Sequence, residues 1–128
     1  MKMTHGLLPQ FEYLASTHQV PIDISIHSDA PVEISSRVEV NAAILTNVND
    51  PQISFGFVRR VLPAKAETIV LMPNNPFCMR VNILERDEDF SALQPGKYRY
   101  EIKIQVRKKV GDDFKAQELS SDGIVVLE

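Results

Sequence analysis

A strict alternation of apolar and polar side chains over residues 97–107 constrains the fold of this chain more than any other feature. The apolar side of this stretch is formed by Tyr98, Tyr100, Ile102, Ile104 and Val106. The opposite side carries Lys97, Arg99, Glu101, Lys103, Gln105 and Arg107. A period of two is typical of a β-strand that has one buried face and one solvated face. Antiparallel sheets accommodate such strands, so we predict an all-β protein.

The rest of the chain repeats this strand pattern between turn-forming segments. Alternating rows begin near residues 20, 38, 53 and 77, a further strand segment covers 67–72, and turn-forming clusters lie at 28–31, 47–51 and 73–76. About seven to eight short strands with such spacing predict an antiparallel β-sandwich. No long amphipathic helix separates them, which excludes a parallel α/β sheet. Gly56 inside a strand pattern indicates a bulge or a close approach of backbone.

The turn before the long strand, Leu93-Gln94-Pro95-Gly96-Lys97-Tyr98, carries a more specific signal. Pro95 presets its own φ, and Gly96 accepts a positive φ without strain. This segment resembles the tyrosine corner of immunoglobulin-like and fibronectin type III-like sandwiches, in which the phenol hydroxyl returns to nearby backbone. It is also similar to the Leu-x-Pro-Gly-x-Tyr start of a late strand in many bacterial sandwich modules. The resemblance implies an immunoglobulin-like antiparallel β-sandwich, with Pro95, Gly96 and Tyr98 as its structural corner, and implies nothing about activity.

The organisation expected from the sequence is a single sandwich domain over residues 20–128, preceded by an N-terminal arm or short helix over residues 1–19. Phe11, Leu14 and Ala15 would share one face of that helix. The single cysteine, Cys78, leaves no intramolecular disulfide, which favours a reducing compartment and predicts a cytoplasmic protein. No apolar run approaches the roughly 20 residues of a membrane helix, so no membrane partner is expected.

No residue pattern in the chain indicates catalysis or a cofactor. The three histidines, His5, His18 and His27, have no cysteine or Glu-x-x-His partner at metal-ligand spacing, so we expect them to be solvated or hydrogen-bonded. Cys78 is expected to be a small packing residue. There is neither a glycine-rich phosphate loop nor a Gly-x-Ser-x-Gly elbow. We therefore predict a protein that is not an enzyme and holds no cofactor and no metal.

One acidic segment leaves the question of calcium open. Glu85–Asp89 is rich in carboxylates, and loops at one end of a sandwich supply oxygen ligands to calcium in some proteins. Asn49, Asp50, Asp112 or Asp113 would have to contribute from other loops. An acidic loop that is simply solvated is the alternative.

Basic residues are concentrated on the polar side of the long strand, in the segment Lys97–Lys109. Lys97, Arg99, Lys103 and Arg107 would project about 7 Å apart from one face, a spacing that suits a polyanion. Glu101 interrupts this row, and no exposed aromatic side chain is interleaved with it to stack on bases. The net charge of −3 gives no general reason to expect nucleic acid. A solvated sheet face is thus the simpler interpretation, and binding of a ligand or polyanion is the alternative function.

Two apolar runs, at residues 69–72 and 124–127, do not alternate and so require cover on both faces. That cover is the N-terminal arm, a neighbouring subunit or a different protein. These runs and the basic row supply the candidate interaction residues: Ile69, Leu71, Ile124, Val126, Lys97, Arg99, Lys103 and Arg107. We predict a non-enzymatic protein–protein interaction or structural module whose partner is another protein or a second copy in a homo-oligomer.

Overall fold

Antiparallel strands account for nearly all of the regular structure in a computed structural model that describes residues 1–7, 10–61, 66–84 and 93–128. The nine strands found in these ranges are β1 (Lys2–Leu7), β2 (Pro21–His27), β3 (Val32–Ser35), β4 (Glu39–Asn47), β5 (Ser54–Val61), β6 (Thr68–Leu71), β7 (Phe77–Asn82), β8 (Gly96–Val110) and β9 (Asp113–Leu127). A short helix, α1 (Phe11–Thr17), follows β1. The predicted all-β sandwich is confirmed, with nine described strands where seven or eight were expected.

The first sheet has the strand order β1-β2-β7. Its central strand β2 buries Ile22, Ile24 and Ile26 almost completely, while Asp23 on the same strand is exposed. The alternation in the sequence therefore sets which face of this sheet meets the core. The second sheet packs its own apolar face against these isoleucines.

The second sheet is built around β8. One side of β8 pairs with β4, which in turn pairs with β5, and further along with β3, which pairs with β6. The other side pairs with β9 along its whole length, from Gly96 opposite Leu127 to Val110 opposite Asp113. Tyr98, Ile102, Ile104 and Val106 on β8 are fully buried, as their alternation predicted.

The corner at the start of β8 has the contact that the sequence implied. The Tyr98 hydroxyl donates to the carbonyl of Gln94 at 2.9 Å and accepts from the Gln94 N–H at 3.2 Å. Gly96 has a φ of +150°. The buried phenol thus holds the turn 94–97 against the first residues of β8.

We expect Tyr98→Phe to lower the unfolding free energy by about 1 kcal/mol, because the ring still packs while the Gln94 backbone groups lose their partner. Urea unfolding measures this loss, and the m-value should stay the same. Lys97→Arg at the exposed neighbouring position is the control, with an expected change within about 0.5 kcal/mol. A Tyr98→Phe variant as stable as the control would contradict the role given to the corner.

The N-terminal segment, expected to be an arm or a short helix, contains a short helix and also a strand. Residues 2–7 are an edge strand of the first sheet, paired with β2 from Lys2 opposite His27 to Leu7 opposite Ile22. Residues 11–17 form the short helix, which buries Leu14. The sequence did not predict this strand because His5 occupies an inward position and interrupts the apolar period.

Candidate protein-interaction surface

The outer edge of β9 is the longest open strand edge in the described part of the chain. β9 pairs only with β8 among the described strands, over residues 113–127 and without a shift in register. Gly111, with a φ of +65°, is the first central residue of the two-residue turn, as in type II′ turns. Such a turn makes Val110 and Asp113 a hydrogen-bonded pair. Because bonding directions alternate in antiparallel pairs, the even-numbered residues of β9 direct their N–H and C=O groups to the open edge.

Apolar side chains accompany this open edge on the outer face of the second sheet. Ile124 is 62% exposed, Val126 46% and Phe114 41%. Their odd-numbered neighbours Val125 and Leu127 face inward and are buried. Residues 124–127 were predicted to need cover on both faces; the described residues bury the inward side chains and leave Ile124 and Val126 largely exposed.

The other apolar run needs a correction. Ile69 is half-buried against the core and Leu71 is 1% exposed, so neither offers an interaction surface. The exposed members are Val70 and Met72. In a run that is apolar at every position, the sequence carries no period to tell the inward face from the outward one. The pairing of β6 with β3, which places Leu71 opposite Val32, decides it.

The basic row lies on the outer face as predicted, but acidic neighbours on adjacent strands neutralise much of it. Arg99 contacts Asp122 at 2.6 Å and Glu101 at 3.4 Å. Arg107 lies 3.5 Å from Glu39. A further pair joins Lys109 to Glu33 at 3.7 Å. Among the described residues, Lys97 and Lys103 have no ion-pair partner.

Counted across strands, the outer face around β8 is electrically balanced. Five basic residues face outward from β8: Lys97, Arg99, Lys103, Arg107 and Lys109. Five acidic residues lie on the same face, on β8 and its neighbours: Glu33, Glu39, Glu101, Glu118 and Asp122. A polyanion would meet no net positive field on this face.

A polar contact holds β1 beneath β9. His5 Nδ1 lies 2.9 Å from the Tyr100 hydroxyl, and His5 Nε2 lies 2.7 Å from Ser121 Oγ. The two rings meet edge to face with their centres 5.3 Å apart. Burial raises the pKa of the Tyr100 phenol above its ordinary value. Ser121, His5 and Tyr100 are connected in the order of a hydrolase triad, but a neutral phenol stands where such a triad has the carboxylate that orients the base. We therefore interpret this contact as a structural tie between β1 and the second sheet.

The remaining histidines do not assemble into a site. His27 lies on the outer face of the first sheet, with its Nε2 3.0 Å from the Thr4 hydroxyl. His18 ends the helix in a left-handed conformation. Within the described residues, no group of three or more His, Cys, Asp or Glu side chains is placed to hold a metal ion.

A shallow depression of about 690 Å³ crosses the outer face of the first sheet. Four of its polar side chains are bonded in two pairs: Arg80 to Asp23 at 2.7 Å, and Cys78 Sγ to Ser25 Oγ at 3.5 Å. Cys78 is exposed, so it is not the small packing residue that was expected. The depression therefore has the character of a solvated sheet face.

Of the loops invoked for calcium, the two that the structure describes lie at opposite ends of β8. Glu85–Asp89 lies outside the described residues. Asn49 and Asp50 belong to the turn beside the start of β8, where the Val48 N–H donates to the Lys97 carbonyl. Asp112 and Asp113 lie at the opposite end of β8. A strand of this length spans roughly 45 Å, so these two turns cannot share an ion.

Comparison with known proteins identifies no family for this chain. No protein-family model matches the chain, and no curated protein matches it. Among solved structures, the chain is similar to a protein from Archaeoglobus fulgidus known from its crystal structure, with 6% sequence identity and a TM-score of 0.48. That similarity covers 100% of this chain and 97% of the other. No helix among the described residues is long and apolar enough to cross a membrane.

Proposed function

We propose that this protein is a non-enzymatic protein–protein interaction module that docks its partner along β9. The observation that carries this proposal is the exposure of Ile124 and Val126 beside an open edge of fifteen residues. Sheet proteins usually protect such edges with lysines, proline, bulges or a covering segment. β9 has a single lysine, Lys115, close to the turn, and no proline. An edge left open at this length is explained if another protein covers it.

The balanced charge of the outer face supports a protein partner over a polyanion. Nucleic acids and sulfated sugars bind mainly through counterion release from an excess of basic groups. Here Arg99, Arg107 and Lys109 already contact carboxylates of the same chain. Of the five basic residues that face outward from β8, only Lys97 and Lys103 have no ion pair with a described residue, too few for a strong polyanion site.

We also propose membership of the immunoglobulin-like superfamily and a cytoplasmic location. The partition of β1, β2 and β7 from β4, β8 and β9 parallels the A-B-E and C-F-G strands of immunoglobulin domains. The Tyr98 contact with Gln94, at the start of the strand that corresponds to F, supports the same assignment. The location is supported by a single exposed cysteine and the consequent lack of an intramolecular disulfide.

Site-specific photo-crosslinking tests the docking surface. A photoreactive benzoylphenylalanine replaces Ile124 in the protein expressed in its own cells. The control carries the photoreactive residue at Val58 on β5, which is 66% exposed on the same face. Strand β5 lies three strand spacings, about 14 Å, from β9. We expect an adduct of discrete mass from position 124 and none from position 58. No adduct at 124, or equal adducts at both positions, would overturn the proposal.

A further inference from the structure

We propose that the partner on this edge is a second copy of the chain, joined by antiparallel pairing of the two β9 strands with Ser120 opposite Ser120. This inference rests on the proposed function and specifies its partner. It makes one continuous sheet from the second sheets of two molecules, related by a twofold axis at Ser120. Closed twofold contacts of this kind use the same surface on both subunits.

The backbone of β9 favours this register. The strand runs from Asp113 to Leu127, and Ser120 is its midpoint. Pairing centred there engages the whole strand, with Asp113 of one copy opposite Leu127 of the other. Each even-numbered residue then faces an even-numbered residue. Their outward N–H and C=O groups, which bond to nothing in the described chain, meet as hydrogen-bonded pairs.

The side chains on the outer face match in the same register. Phe114 lies opposite Val126 of the second copy, and Ala116 lies opposite Ile124. Cross-strand neighbours of this kind contact each other directly. Two large side chains, Phe114 and Val126, therefore pack together near each end of the paired strands, and Ile124 packs beside the small Ala116 nearer the twofold axis. The pairing covers the three exposed large apolar side chains of β9, Phe114, Ile124 and Val126, in both copies. A shift by one pair in either direction leaves Phe114 or Val126 without an apolar neighbour.

The central pairs carry an electrostatic penalty that basic neighbours reduce. Glu118 faces Asp122 of the second copy, and this like-charge contact occurs twice in the dimer. Asp122 is paired with Arg99 at 2.6 Å, and Glu118 accepts from the Asn41 amide at 3.0 Å. Lys103 on β8 lies opposite Ser120 of the same copy and is therefore diagonal to Glu118 and Asp122 of that copy. It has no ion pair with a described residue. Pairing therefore places an unpaired lysine of each copy beside the acidic contacts.

Disulfide trapping tests the register directly. In a Cys78→Ser background, Ser120→Cys places two thiols at a hydrogen-bonded pair with Cα atoms about 5.5 Å apart, within the range for a disulfide. Glu118→Cys is the matched control, since two residues 118 would lie roughly 13 Å apart along the strands. Under mild oxidation we expect a covalent dimer from position 120, formed at least about tenfold faster than from position 118. No dimer at 120, or equal rates at both positions, would overturn the inference.

The association constant provides a second measurement, by light scattering of the unmodified chain. Glu118→Gln removes both like-charge contacts and should tighten the dimer about fivefold. Added salt should strengthen it too, by screening the same repulsion. Ser120→Pro removes an edge-directed N–H and no hydrogen bond to β8, a position where edge strands tolerate proline, so the monomer should fold while dimerisation is lost. A strict monomer at all concentrations would overturn the inference, and a crosslink of foreign mass from position 124 would still uphold the proposed function.

Discussion

Replacing Gly56 by alanine should lower the unfolding free energy by about 3 kcal/mol or more, the largest loss expected from any single methyl group added to this chain. Gly56 has a φ of +141°, a conformation that side chains other than hydrogen rarely adopt. A Cβ atom there would also collide with the carbonyl oxygen of Ala43 and lie 2.8 Å from the Cα of Ile44. Both obstacles are backbone atoms of β4, which cannot turn aside as a side chain can. The substitution should therefore separate β5 from β4.

Urea unfolding measures the loss, and hydrogen exchange locates it. We expect amides of β4 and β5 to lose protection first while β2 keeps its own, since β2 belongs to the other sheet. Gly6→Ala on β1 is the matched control, because a Cβ there would meet no atom within 4 Å. An unfolding free energy of Gly56→Ala within about 0.5 kcal/mol of that of the control would contradict the close approach of β5 to β4.

The second large effect is expected at Gly123, where alanine should cost about 2–3 kcal/mol. A Cβ on Gly123 would lie 2.5 Å from both Cζ and the hydroxyl oxygen of Tyr100. Tyr100 is 6% exposed and its hydroxyl lies 2.9 Å from His5, so the ring has little room to move. Its displacement would break the tie between β1 and the second sheet.

A double substitution separates this steric effect from a general weakening of β9. Tyr100→Leu removes the atoms that the new methyl group meets, so adding Gly123→Ala to that variant should cost far less than in the wild type. The coupling between the two positions should reach about 1–2 kcal/mol in a double-mutant cycle. Additive losses would show that Tyr100 does not occupy the space above Gly123.

Several features of the fold could be predicted from local sequence because their causes are local. The period of two on β8 decides which residues are buried, since successive side chains of a strand point to opposite faces. Pro95, Gly96 and Tyr98 specify the corner through turn chemistry and a hydrogen bond from Tyr98 to a residue only four positions earlier in the chain. Gly56 was identifiable because a glycine inside a strand has no side chain to contribute to the sheet. These signals suffice for an all-β sandwich.

The interaction surface was only partly accessible from sequence. The runs at 69–72 and 124–127 are alike in composition, yet Leu71 is buried and Ile124 is 62% exposed. Strand pairing decides both: β6 pairs with β3, and β9 pairs with β8, which places Ile124 opposite the outward-facing Arg99. The basic row was likewise visible in the sequence, whereas its partners Asp122 and Glu39 come from other strands.

The sequence by itself thus determined the fold class, the inward face of β8 and the corner at Tyr98, because each depends on residues close together in the chain. Only the tertiary structure decided that residues 2–7 join a sheet, that much of the basic row is neutralised and that no described strand pairs with the outer edge of β9. These properties depend on which strands become neighbours. Strand order arises from contacts between distant segments, and no local period or turn encodes it.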